Sequence, residues 1–192
     1  MSEVKNILLS GVGGQGIILA SKILATGLIQ AGYDVKMSEV HGMAQRGGSV
    51  TTQVRFGEKV YSPIIGKGQA DILVSFETME TGKWLEFLKP DGKVVINEYE
   101  IPSAPILVGK AQYPQGVIEA VSEKVEVTVF KAAQLAEELG NIRTMNVVIV
   151  GALIGAMGLD NIDWDEVIRQ TVKEKFIDIN IKALKLGMDQ VK

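Results

Sequence analysis

The sequence predicts an α/β fold: a Rossmann-like, mostly parallel sheet with an inserted antiparallel hairpin and a helical C-terminal part, forming one domain over 1–192. Three observations carry that expectation. Short apolar runs alternate with segments of helical period through Leu139; a glycine fingerprint, Gly11-Val12-Gly13-Gly14-Gln15-Gly16, joins the first run to the first helix; and no strand pattern recurs after Thr144. With 192 residues, 46% of them hydrophobic, the chain is long enough to bury one sizeable core, and no linker or repeat divides it.

Asn6-Ile7-Leu8-Leu9-Ser10 is a nearly continuous apolar run ending in a glycine turn, the pattern of a parallel strand covered on both faces. Ile17, Ala20, Leu24 and Leu28 then recur at helical spacing, and Gly32 stands where a helix ends. Tyr33 to Ser38 reads as the second strand, completing a βαβ unit. From Ser49 the period changes to two: Val50, Thr52, Val54 and Phe56 alternate with Ser49, Thr51, Gln53 and Arg55, a strand with one polar face. Gly57-Glu58 and the following Lys59-Val60-Tyr61-Ser62 predict a hairpin return. Ala70 to Phe76 is the next strand, Thr78 to Leu88 a helix stopped by Pro90-Asp91-Gly92, and Lys93 to Asn97 the strand after it. Ile101 to Pro105 reads as a loop, Val125 to Phe130 as a strand, and Ala132 to Leu139 as a helix ended by Gly140-Asn141. Asp163-Trp164-Asp165-Glu166 makes an acidic helix start, and Ile177, Ile181, Leu184 and Met188 share a face of the last helix. The Gly151-xxx-Gly155 step predicts close helix packing, inside the domain or at a subunit contact.

Composition narrows the function classes. A net charge of −3 without a dense Lys/Arg cluster argues against nucleic acid, whose binding requires several phosphates to be neutralised on one face. The absence of cysteine removes disulfides and thiolate-held iron–sulfur clusters, and a lone histidine makes a zinc site of ordinary type implausible. No metal site is expected. Met1 to Asn6 lacks the basic start and apolar run of a signal peptide, and the most apolar window, Met145 to Leu159, falls short of the roughly 20 residues a bilayer span needs. The expectation is a cytoplasmic protein with no membrane partner.

The spacing Gly11-x-Gly13-x-x-Gly16 between strand and helix permits a tight turn and close approach of an anion to backbone N–H groups. Gly11, Gly13, Gly14, Gln15 and Gly16 are therefore candidate cofactor-binding residues, although such a turn also serves packing alone. It is not a P-loop, since Ile17-Ile18 stand where Lys and Ser/Thr would meet phosphate and magnesium. Glu39 stands where a ribose acceptor is expected, which keeps an autonomous NAD-binding dehydrogenase in play; the other reading is a solvated carboxylate.

A second glycine-rich segment, Ser38-Glu39-Val40-His41-Gly42-Met43-Ala44-Gln45-Arg46-Gly47-Gly48-Ser49, is crowded with polar groups and has no carboxylate between Glu39 and Glu58. Arg46 suits bidentate contact with a carboxylate or phosphate, His41 suits proton transfer or hydrogen bonding, and Gln45 supplies a further donor. These three are the candidate catalytic residues, against the plain readings of an Arg46–Glu39 surface pair and a structural histidine. No Ser/His/Asp triad is arguable.

Together these residues resemble the γ-type subunits of the 2-oxoacid:ferredoxin oxidoreductases. The Gly11–Gly16 loop is similar to that family's first motif, and the Ser38–Ser49 segment is most similar to the small β subunit of its indolepyruvate type; Ser62-Pro63-Ile64-Ile65, Ala70-Asp71 and Phe76-Glu77 extend the resemblance over nearly the whole chain. The resemblance implies oxidative decarboxylation of a 2-oxoacid, aryl pyruvates above 2-oxoglutarate, pyruvate or branched-chain acids, with coenzyme A as acyl acceptor and ferredoxin reduced. It also implies a large α subunit carrying thiamine diphosphate and the iron–sulfur clusters, coenzyme A phosphates near Gly11–Gly16, His41–Ser49 facing a shared active site, and an isolated chain that is inactive.

Overall fold

The computed structural model describes residues 4–41 and 47–191. Six strands form one sheet: β1 (Lys5–Val12), β2 (Asp34–His41), β3 (Ser49–Gly57), β4 (Ala70–Ser75), β5 (Leu88–Asn97) and β6 (Glu126–Phe130). The helices are α1 (Ile17–Gln30), α2 (Thr78–Trp84), α3 (Ala104–Leu107), α4 (Val117–Ser122), α5 (Ala132–Glu138), α6 (Met145–Met157), α7 (Trp164–Thr171) and α8 (Ile177–Met188). The strand order is β2-β3-β1-β4-β5-β6. Only β3 runs against the others, antiparallel to both β1 and β2. The remaining neighbours are parallel.

The inserted antiparallel element is thus real, but its place differs from the sequence expectation. β1, α1 and β2 keep the βαβ path, yet β3 is slotted between the two parallel strands. Both edges of β3 are occupied, so Lys59 to Ser62 has no edge to return along and forms no strand. The segment 58–69 instead lies as a strap over the polar face of β3. That face is not solvated: Thr51 and Gln53 are buried, Gln53 Oε1 accepts from the Ile65 N–H, and the Arg55 guanidinium donates to Asn6 Oδ1 at 2.7 Å and to the carbonyls of Ser62 and Ile64. Buried polar groups need partners, and here a strap of irregular backbone and polar strand residues satisfy each other.

A larger apolar layer joins one face of the sheet to α1, α5, α6, α7 and α8 through residues such as Ile7, Leu9, Leu24, Val148 and Trp164. A smaller one, with Leu8, Ile65, Leu73 and Ile96, covers the other face beneath α2 and α4. α3 begins inside the expected 101–105 loop, and α4 has no counterpart in the sequence reading. Every residue from 145 to 154 in α6 is buried, and α6 packs so closely on α8 that helical backbones touch. A Cβ at Gly151 would lie 2.0 Å from the Leu184 carbonyl oxygen, and one at Gly187 would lie 1.9 Å from that of Val148. The small-residue step therefore serves packing within the domain. Among the described residues no helix is long and apolar enough to cross a membrane.

Asp34, at the start of β2, fastens the strap to the sheet. Its carboxylate accepts from Lys36 Nζ and the Val60 N–H and lies 3.6 Å from Lys59 Nζ. The Lys36 hydrogen bond, then that of Val60, holds its pKa down at about 2. A carboxyl depressed in the folded state adds stability above its unfolded value, near 4, and loses it as pH falls through the folded one. The urea midpoint is expected to fall more steeply between pH 4 and pH 2 in the wild type than in Asp34→Asn. Parallel slopes would contradict this.

Candidate cofactor site at the joined glycine loops

The site forms where the carboxyl ends of β1 and β4 meet the amino ends of α1 and α6, the end of a parallel sheet where ligands bind. The β1–β3 ladder closes with Val12 opposite Ser49, and then continues past both strands: the Gly13 N–H donates to the Gly48 carbonyl at 2.9 Å, and the Gly47 N–H to that of Gly13 at 3.3 Å. The first glycine loop and the end of the second glycine-rich segment are therefore one hydrogen-bonded unit. His41 closes β2 opposite Val50, while Gln45 and Arg46 lie outside the described residues.

Within the first loop the candidates divide by what their groups already do. Gln15 is buried, its Oε1 accepting from the Val12 N–H at 2.8 Å and its Nε2 donating to the Phe76 carbonyl at 2.7 Å. The same carbonyl accepts from Asn97 Nδ2, and Asn97 Oδ1 accepts from the Ala132 N–H. This buried amide relay ties the loop to β4, β5 and α5, so the side chain of Gln15 shapes the turn. Gly16 caps α1 with φ 80°, a left-handed conformation, and a Cβ there would meet Asn146 Nδ2 at 2.6 Å. Glycine is required on both counts. Asn146 Nδ2 donates to the Gly16 carbonyl across 130 residues of sequence, while its buried Oδ1 has no partner.

Two clefts share this loop. The first, of about 360 Å³, is mostly apolar, with Val12, Ile17, Ile18 and Val50 in its walls and Glu39 at its rim. The second, of about 390 Å³, lies between Gly13, Gly14, Gly47, Tyr99, Arg143 and Asn146 at the amino end of α6. α6 runs on from a 3-10 turn, Ile142–Thr144, whose start Asn141 caps by accepting from the Arg143 N–H at 3.1 Å, and no carboxylate among the described residues pairs with the exposed Arg143 guanidinium. The guanidinium favours an anion in the second cleft, whereas Glu39 opposes one in the first. As a scale, unit charges 4 Å apart interact by about 4 kcal/mol at an effective dielectric of about 20.

The wall of the second cleft is set by Glu77, which is fully buried. Its carboxylate accepts from the Glu80 and Ile101 N–H groups at 2.9 and 3.1 Å and from the Tyr113 hydroxyl, capping α2 and pinning the segment that carries Tyr99. Burial, then the Glu77 hydrogen bond, pushes the Tyr113 phenol well above its ordinary range. Among the described residues no group of three or more His, Cys, Asp or Glu side chains is placed to hold a metal ion. Arg143, Asn146 and Tyr99 escaped the sequence reading because each reaches the loop from a distant element; only the Phe76-Glu77 pair left a trace there.

A sequence model of the pyruvate ferredoxin/flavodoxin oxidoreductases matches residues 6–190. The chain belongs to this family. Within it, the chain is 42% identical to the indolepyruvate oxidoreductase subunit IorB of Thermococcus kodakarensis, over 97% of this chain and 96% of that one. The family fold recurs in the crystal structure of a keto/oxoacid ferredoxin oxidoreductase γ subunit from Geobacter sulfurreducens, with TM-score 0.72 and 24% identity over 97% of this chain and 98% of that one. It recurs again within a longer polypeptide, the 2-oxoglutarate:ferredoxin oxidoreductase of Magnetococcus marinus with 2-oxoglutarate, coenzyme A and succinyl-CoA bound. There the TM-score is 0.75 and the identity 23%, over all of this chain but 31% of that one. In the family setting, the joined loops are a feature of a subunit or domain of a larger oxidoreductase.

Proposed function

We propose that the chain is the small subunit of an indolepyruvate-type 2-oxoacid:ferredoxin oxidoreductase, acting in the cytoplasm, and that its second cleft takes the phosphates of coenzyme A. The observation that carries this is the ladder from Gly13 to Gly47 and Gly48, which turns two glycine-rich segments into one ligand-facing unit in a chain similar to IorB along its length. Thiamine diphosphate and iron–sulfur clusters, which the large subunit would carry, would supply the decarboxylation and electron-transfer chemistry. The role of this chain is to position: the Arg143 guanidinium orients the anionic end of coenzyme A, the buried Gln15 relay holds the loop rigid, and His41, Gln45 and Arg46 stabilise charge at the shared active site.

The dehydrogenase reading loses its support from topology. A ribose acceptor works from the strand next to β1, and here β3 intervenes, moving Glu39 outward by about 4.8 Å, one strand spacing. Reconstitution tests the proposal: the chain alone turns over no indolepyruvate, and turnover appears when the large subunit is added. Turnover by the isolated chain, or micromolar NAD binding that weakens on Glu39→Ala, would defeat it. In the reconstituted enzyme Arg46→Ala is expected to lower kcat/KM by the loss of a charged hydrogen bond, about 1.5–3 kcal/mol, with assembly intact. Equal loss of assembly would make Arg46 an interface residue instead.

A further inference from the structure

The first cleft has no part in the coenzyme reading, yet it has the make-up of a small-molecule site. At about 360 Å³ it falls within the roughly 300–1,000 Å³ that ligand pockets occupy. Three of its walls are fixed by the core: Val12 at the end of β1, Val50 near the start of β3 and Ile17 at the start of α1 are all buried. The fourth is Ile18, which stays 58% exposed at the second position of α1. Glu39 is the only polar side chain among the lining residues. It lies opposite Thr52 in the β2–β3 ladder, and strand alternation puts Thr52, and so Glu39, on the sheet face of Val50. No described residue bonds to or pairs with its carboxylate. A carboxylate accepts hydrogen bonds and cannot donate them. The cleft therefore suits an apolar group that carries a donor and needs none in return.

We propose that the first cleft is the subsite for the aromatic side chain of the 2-oxoacid, with an indole N–H donated to Glu39. Indole is a flat apolar bicycle with a single N–H and no ring acceptor, so it matches both the walls and the rim. The rival groups each leave something unmet. Adenine carries ring nitrogens that need donors, which no side chain of the cleft supplies, and the phosphates joined to it would be brought toward the Glu39 carboxylate. A 2-oxoglutarate side chain would set a second carboxylate against the same group, pyruvate has nothing to bury between Ile17, Ile18 and Val50, and a phenyl ring fills the walls but leaves the acceptor unused. The 2-oxo end of the substrate then stays on the side of Gly13, Gly14 and Gly16, which line both clefts. Glu39 is thereby a residue that sets specificity for the side chain. The inference rests on the subunit reading above.

Two measurements test it. NMR titration of the purified chain compares indole with N-methylindole, in which a methyl group replaces the N–H hydrogen; indole is expected to bind at least about 10-fold more tightly, and the gap to close in Glu39→Ala. Ile18→Trp, which fills the cleft from its exposed wall, should lose indole binding while its melting temperature stays within about 2 °C of wild type. In enzyme reconstituted with the large subunit, Glu39→Ala is expected to lower the ratio of kcat/KM for indolepyruvate to that for phenylpyruvate about 10-fold. No saturable indole binding, equal affinity for the two indoles, indole binding that survives Ile18→Trp, or an unchanged ratio each overturns the subsite and leaves the subunit reading standing. So does a rise in the KM for coenzyme A in Glu39→Ala with the ratio unchanged, which gives the cleft to the coenzyme. Failure of the wild-type chain to support indolepyruvate turnover with the large subunit overturns both readings.

Discussion

Gly187→Ala is expected to lower the melting temperature by roughly 6–12 °C. The added carbon would stand 1.9 Å from the Val148 carbonyl oxygen. The obstacle is backbone at the heart of a buried helix, so no side-chain rotation relieves it, and α6 and α8 must separate. Overpacking of this kind costs about 3 kcal/mol, which in a protein of this size corresponds to that shift. Gly155→Ala is the internal control, because its Cβ would sit 3.2 Å from the Met188 carbonyl oxygen and a few tenths of an ångström of movement suffices. Scanning calorimetry should place Gly187→Ala far below Gly155→Ala; equal shifts would show that the α6–α8 contact is looser than described.

Arg143→Ala is expected to weaken coenzyme A binding to the assembled enzyme about 10- to 100-fold, seen as a rise in KM for coenzyme A with little change in the KM for the 2-oxoacid. The loss is that of one charged hydrogen bond, about 1.5–3 kcal/mol. Raising the salt concentration should weaken the wild type more than the variant, because the exposed guanidinium acts through screened charge. Glu39→Gln separates the two clefts. If the anion occupies the second, removing the Glu39 carboxylate leaves coenzyme A binding unchanged or slightly tighter; marked weakening would place the ligand in the first cleft instead.

Much of the fold could be read from residue order. The apolar run at Ile7 to Leu9, the helical spacing of Ile17, Ala20, Leu24 and Leu28, and the period-two pattern from Ser49 each describe a local environment, and local environment is what periodicity encodes. The same kind of signal failed at Lys59 to Ser62. Four residues after a glycine look like a returning strand, and whether a strand forms depends on a free sheet edge, which β1 and β2 had already taken on both sides of β3. The polar face of β3 was legible but its role was not: Gln53 and Arg55 are polar because they hold backbone of the strap, and their partners are not evident from pattern.

The site divides in the same way. By itself the sequence determined that one glycine-rich segment joins a strand to a helix and a second follows the next strand, that this chain supplies no thiolate for a cluster, and which family the motifs resemble, since these depend only on residue identity and short spacing. Only the tertiary structure decided that the two segments are hydrogen-bonded into one unit, that Gln15 faces inward to the Phe76 carbonyl, and that Arg143 and Asn146 complete a cleft with Gly13 and Gly14. The physical reason is distance along the chain. Asn146 meets Gly16 because α6 packs behind α1, a contact spanning 130 residues that exists only once the apolar layers have closed.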